Sequence, residues 1–133
     1  MLVFISLILI ILAAISEAIM DTLQFHYDKS IFKSNPKQYF WNPLISWANK
    51  YKQDLKTPRF IGSTSLFVFA TDAWHLFKFI RTSTIFISIG LIALITDKLL
   101  MVAFYVIVLR IVFGICFTCC FNKYLLIKNE LQK

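Results

Sequence analysis

The chain has 133 residues, of which 59% are hydrophobic and only 16% charged, against about 45–50% and about 25% in soluble globular proteins. A water-soluble domain of this length cannot hide so much apolar area, and the same composition excludes intrinsic disorder, a disulfide scaffold and a collagen-like chain. The remaining class is a membrane protein, with 14 Lys and Arg against seven Asp and Glu and a net charge of +7.

The apolar runs are continuous, not alternating, so they read as helices of about 20 residues and not as barrel strands. The expected fold is an all-α integral membrane protein with three to four transmembrane helices plus one amphipathic interfacial helix, in a single domain. The first helix is predicted over about 1–27, opening on LVFISLILIILAAI. Ser16-Glu17-Ala18 has the small-residue spacing of a signal-peptide cleavage site, but Met1-Leu2-Val3-Phe4 offers no basic n-region, so retention as a transmembrane helix is expected.

Residues 28–60 form a basic loop with Lys29, Lys33, Lys37, Lys50, Lys52, Lys56 and Arg59, opposed only by Asp28 and Asp54. The Lys and Arg bias of short loops places this one on the cytoplasmic side, with the N-terminus outside. With four spans the C-terminus is also outside, which Lys123, Lys128 and Lys133 oppose. Within the loop, Asn42-Pro43 reads as an N-cap followed by Pro at the first helical position. Leu44, Trp47, Ala48, Tyr51 and Leu55 then share one helical face, while Ser46, Asn49, Lys50 and Gln53 face away. Trp47 and Tyr51 beside Lys50 and Lys52 suit a helix lying among anionic lipid headgroups; the alternative is a re-entrant loop packed on the other helices. No nucleic-acid-binding motif accompanies the basic residues, so no nucleic-acid partner is expected.

Three further helices are predicted over about 61–80, 82–96 and 99–121. Only Asp97 and Lys98 separate the last two, which makes them a tight hairpin or, alternatively, one long kinked helix. Lys78 and Arg81 read as snorkelling anchors. Cys116, Cys119 and Cys120 read as apolar filler, with lipidation of a juxtamembrane Cys as the competing reading.

The chemistry, if any, should lie with charges inside the apolar segments, where each costs about 2.5–3.5 kcal/mol on insertion scales. Glu17, Asp21, Gln24 and Asp28 share a stripe of the first helix that continues back through Ala14, Ala13 and Ser6, while His26 lies on roughly the opposite face. Asp72 and His75 share a face of the second predicted helix, Trp74 points away from them, and Arg110 lies between the small residues Ala103 and Gly114. At about 1.5 Å rise per residue, Glu17, Asp72 and Arg110 reach a similar depth of about 15 Å. Arg110 is then the structural ion-pair partner of one carboxylate. Glu17, Asp21, Asp72 and His75 form a candidate site for a divalent metal, with Glu17, Asp72 and His75 as candidate catalytic groups. As an enzyme, the chain would be a metal-dependent hydrolase or transferase on lipid headgroups, its metal lowering the pKa of bound water. Two non-enzymatic readings stand beside it: a structural or assembly subunit whose charges pair with one another or with a partner membrane subunit, and a proton- or cation-conducting homo-oligomer.

Overall fold

The structure is a computed structural model that describes residues 1–96 and 98–127. Three helices are long and apolar enough to cross a membrane. They are α1 (Leu2–Phe25), α4 (Ala73–Ala93) and α5 (Leu99–Cys120), with mean hydropathies of 2.8, 1.6 and 2.6, the last taken over Leu99–Leu125. The first turn after α5, Phe121–Leu125, widens to π-helical geometry. Between α1 and α4 lie two short helices, α2 (Gln38–Trp41) and α3 (Pro43–Ser46), with 3₁₀ turns around them.

The helix predicted over 61–80 does not form, and the one predicted over 82–96 starts earlier; α4 replaces both. Residues 61–67 are turns, because Gly62 at φ 79° starts a reversal that Phe67 closes by donating its N–H to the Gly62 carbonyl at 2.8 Å. A Cβ at Gly62 would stand 2.8 Å from the Phe67 ring, closer than packed atoms allow. Asp72 then begins the helix as its N-cap, its carboxylate accepting from the His75 backbone N–H at 2.9 Å. At 21 residues α4 is about 31 Å long, enough for one crossing. The reversal before α5 falls where Asp97-Lys98 suggested; Lys98 is the N-cap residue of α5, and Asp97 lies outside the described residues.

The helix α1 is the middle of the bundle. Near one end Ile10 packs with Ile92 and Leu109, and near the other Leu23 packs with Ala73 and Leu125. α4 therefore runs antiparallel to α1 and α5 parallel to it. α1 meets both partners extensively, while α4 and α5 meet each other only sparingly. The small-residue stripe explains the closest approach, since Ser6, Ala13, Ala14 and Ala18 are fully buried. The Ser6 hydroxyl donates to the Ser88 carbonyl at 3.3 Å and the Ser88 hydroxyl returns the bond to Ser6 at 3.2 Å, so the two backbones nearly touch. The outward faces carry Phe4, Ile8, Phe86, Phe104, Ile107 and Ile115, all exposed.

The connecting segment caps one end of the bundle. Phe32 stacks on Trp41 at 4.7 Å, and Trp41 rests against Phe77 of α4 at 6.0 Å. The chain after α5 returns to the same end, where Ile127 donates its N–H to the Lys29 carbonyl at 2.9 Å. Three long helices thus bring Lys123 to the end that holds the basic loop, whereas a fourth would have parted them.

The amphipathic helix predicted from Asn42 is shorter than expected. Asn42 caps it as expected, accepting from Leu44 N–H at 3.0 Å with Pro43 next. α3 tightens into a 3₁₀ turn over Trp47–Lys50 and stops at Tyr51, which bridges to Pro58. Leu55 is therefore not on that face but in the following turn, at φ 55°. On the apolar side Leu44 and Trp47 are exposed, while Ala48 and Tyr51 are half-buried. Part of the polar side turns inward: Ser46 is buried, and the Asn49 amide donates to the Thr71 carbonyl at 2.9 Å, clamping the turn against α4's start, while Gln53 stays exposed.

Candidate functional site

The four residues expected to converge divide into two places. Glu17 and Asp21 lie on α1 inside the bundle, whereas Asp72 and His75 lie at its capped end. Arg81, which contacts Glu17, is nine residues beyond Asp72 on α4, about 13 Å along the axis. No three His, Cys, Asp or Glu side chains come together as a metal-ligand group among the described residues. The cause is the helix start: once Asp72 is an N-cap, it cannot lie at mid-depth.

At the capped end, Asp72 is 2% exposed and holds three partners. One carboxylate oxygen accepts from the His75 backbone N–H; the other lies 2.7 Å from His75 Nδ1 and accepts from the Thr71 hydroxyl at 3.0 Å. The i, i+3 spacing that resembled paired metal ligands is thus the spacing of an N-cap and the third helical residue, whose backbone N–H and ring both reach the Asp72 carboxylate. Burial opposes ionisation of Asp72, but the bonds from the His75 ring and backbone, the His75 charge and the Thr71 hydroxyl together hold its carboxyl below the ordinary value of 3.8. An ionised Asp72 accepts only, so in the neutral imidazole it places the proton on His75 Nδ1 and leaves the Nε2 lone pair free.

A carboxyl whose folded pKa is lowered stabilises the fold above its unfolded value, and that stabilisation disappears as pH falls through the folded value. Thermal unfolding in detergent should therefore show a midpoint contribution from Asp72 that is constant near neutrality and is lost below about pH 4. In Asp72→Asn that acid-side loss should shrink.

The His75 ring is 24% exposed and borders a cleft of about 400 Å³ with Gln24, Leu44, Ser46 and Trp47. Trp74 does not point away as predicted; its ring meets His75 edge-on at 5.0 Å, and Lys78 Nζ lies 4.9 Å over the Trp74 ring. Gln24, Ser46 and Asn49 were not singled out for this site in the sequence. The signal was present in Ser46 and Asn49 sharing a face, but that face read as solvated. Trp47, Lys50, Lys52 and Tyr51 lie at the same end, with Trp47 and Tyr51 rings 6.5 Å apart and Lys50 Nζ 5.8 Å over Tyr51.

Inside the bundle, Glu17 is paired with Arg81, not with Arg110. The reason is packing: α4 is the helix that closes on the small-residue face of α1, and Arg81 lies on it opposite Glu17. Arg81 is therefore no snorkelling anchor. Arg110 has no carboxylate within 4 Å among the described residues; its guanidinium lies 5.5 Å over the Phe113 ring and beside Gly114. His26, beyond α1, packs edge-on against Phe121 at 5.4 Å. Cys116, Cys119 and Cys120 carry free thiols.

Compared with protein-family models, with curated proteins and with solved structures, the chain matches none.

Proposed function

We propose that this chain is a three-span membrane protein whose basic end binds anionic lipid headgroups and whose His75, oriented by Asp72, carries out acid–base chemistry on them as a hydrolase or headgroup transferase. The observation that carries the reading is the 2.7 Å contact between His75 Nδ1 and a nearly fully buried carboxylate, in a cleft at the end where the basic residues collect. A carboxylate that fixes the imidazole tautomer leaves Nε2 positioned to take and return a proton. In hydrolysis, Nε2 accepts the proton of a water whose oxygen bonds to the headgroup phosphorus or ester carbon. The same proton then goes to the oxygen of the leaving alcohol, so His75 ends as it began. In transfer, an alcohol replaces the water.

Lys29, Lys33, Lys50, Lys52 and Lys123 would draw anionic headgroups to this end, each adding about 1 kcal/mol of surface attraction. The exposed Leu44 and Trp47 give the α3 segment an apolar face for the acyl boundary. The Lys and Arg bias puts this end on the cytoplasmic side. Two donors, Asp72 and His75, are fewer than the three protein ligands that catalytic zinc sites use, so the proposed chemistry rests on the imidazole.

The test is the full chain reconstituted in vesicles of phosphatidylglycerol, phosphatidylethanolamine and phosphatidylcholine, with lipid products followed by mass spectrometry. Headgroup release or exchange is expected, fastest on the anionic lipid, and His75→Gln should lower it by at least about 100-fold. No product from any vesicle, or equal turnover by His75→Gln, overturns the reading.

A further inference from the structure

Because α1 packs on both neighbours while α4 and α5 meet sparingly, a cleft separates α4 from α5 on the flank of α1. Its apolar lobe has a volume of about 340 Å³ and is walled by Ile10, Ile85, Ile89 and Val106. A second lobe of about 370 Å³ is bordered by Asp21 and Thr118. Glu17, Arg110 and Phe113 border both lobes, so the two adjoin, the first mainly apolar and the second lying between α1 and α5 towards the basic loop. The cleft opens sideways, since Ile89 and Val106 are 40% and 39% exposed.

The charged end is unsatisfied in a particular way. Glu17 is occupied by Arg81. The Arg110 guanidinium and the Asp21 carboxylate have no opposite charge within 4 Å among the described residues, yet both border the same lobe. Arg81, which borders the adjoining apolar lobe, has its Nε buried without a hydrogen-bond acceptor among the described residues. In apolar surroundings such groups need partners. A head carrying only an anion would satisfy the guanidinium and be repelled by Asp21; one carrying only a cation would do the reverse. A head with a phosphate and a primary ammonium meets both, its N–H groups donating to the Asp21 carboxylate where a quaternary ammonium has none to donate. Asp21 lies four residues before the end of α1, about 6 Å deep, within reach of a headgroup drawn slightly below the interface.

We infer that the α4–α5 cleft holds one aminophospholipid from the bilayer, its phosphate on Arg110, its ammonium on Asp21 and an acyl chain along Ile85, Ile89 and Val106. This shares only membrane insertion with the acid–base reading, because His75 and Asp72 do not border the cleft. A failure of lipid turnover would leave it standing.

Native mass spectrometry of the detergent-purified full chain, titrated separately with phosphatidylethanolamine, phosphatidylglycerol and phosphatidylcholine, tests the inference. One phosphatidylethanolamine should be retained, at least roughly tenfold more tightly than either other lipid. Arg110→Leu should weaken it by at least about tenfold, and Asp21→Asn should bring phosphatidylethanolamine and phosphatidylglycerol to similar affinity. Val106→Trp, at an exposed position away from the charges, should block the acyl lobe and lower retention of all three while circular dichroism stays unchanged. Equal retention of the three lipids, retention unaffected by Arg110→Leu and Val106→Trp, or a lipid-free dimer in which a second copy covers Arg110 would each overturn it.

Discussion

Replacing Arg81 with leucine should destabilise the bundle by about 1–3 kcal/mol, the expected consequence of removing one partner from a part-buried charge pair. Arg81 and Glu17 join the two helices that pack most closely, and both lie about 12 Å inside the capped end. The single change leaves the Glu17 carboxylate among apolar side chains, where it must stay charged at high cost or take up a proton. Glu17→Leu should do similar damage by stranding the guanidinium. The double variant Glu17→Leu/Arg81→Leu should recover most of the loss or exceed the parent, since replacing a whole buried pair by apolar residues is often neutral or stabilising. Unfolding in mixed micelles measures all four proteins. A single variant as stable as the parent, or a double variant no better than the singles, would show that the pair does not hold α1 to α4.

The second large effect separates two roles combined in Asp72. As N-cap it satisfies the His75 backbone N–H; as the partner of His75 Nδ1 it fixes the tautomer. Asp72→Ser retains a good cap, as does Asp72→Asn, so both should fold with α4 intact and change stability by only a few tenths of a kcal/mol through capping. Neither offers the ring a carboxylate. Turnover of lipid headgroups should therefore fall by about 10²–10⁴-fold in both, a size typical of losing a properly oriented general base. Asp72→Ala, which loses cap and orientation together, should match that fall and also lose about 1 kcal/mol of stability. Circular dichroism alongside the vesicle assay distinguishes the roles. If Asp72→Ser keeps full turnover, Asp72 is a helix cap only and His75 acts without it.

The deeper charges carry a lesson about spacing. Asp72-xx-His75 and Glu17-xxx-Asp21 both fit the i, i+3 or i, i+4 pattern of side chains on one helical face, and the pattern holds for the second pair. For the first pair the same spacing has a different cause, because three residues also separate an N-cap from the backbone N–H it accepts from. The polar residues Gly62-Ser63-Thr64-Ser65 just upstream point to that reading, being poor helix formers in front of a good cap. Lys78 and Arg81 obscured it by looking like the edge of a membrane segment, when one lies over Trp74 and the other pairs across the bundle.

By itself the sequence determined the membrane class, the extents of α1 and α5, the start of α3 at Asn42-Pro43 and the small-residue face of α1. These are local properties: transfer of an apolar run sums over contiguous residues, and a cap needs only its own turn. The tertiary structure alone decided which arginine meets Glu17, that α4 is one long helix in place of two, and that Lys123 returns to the basic end. Each of those depends on which helix closes on Ser6, Ala14 and Ala18, and that contact joins residues about 80 positions apart, as Ser6 and Ser88 show. A charge inside an apolar bundle takes its partner from the helix that packs nearest, and nearness in space is what a linear pattern does not contain.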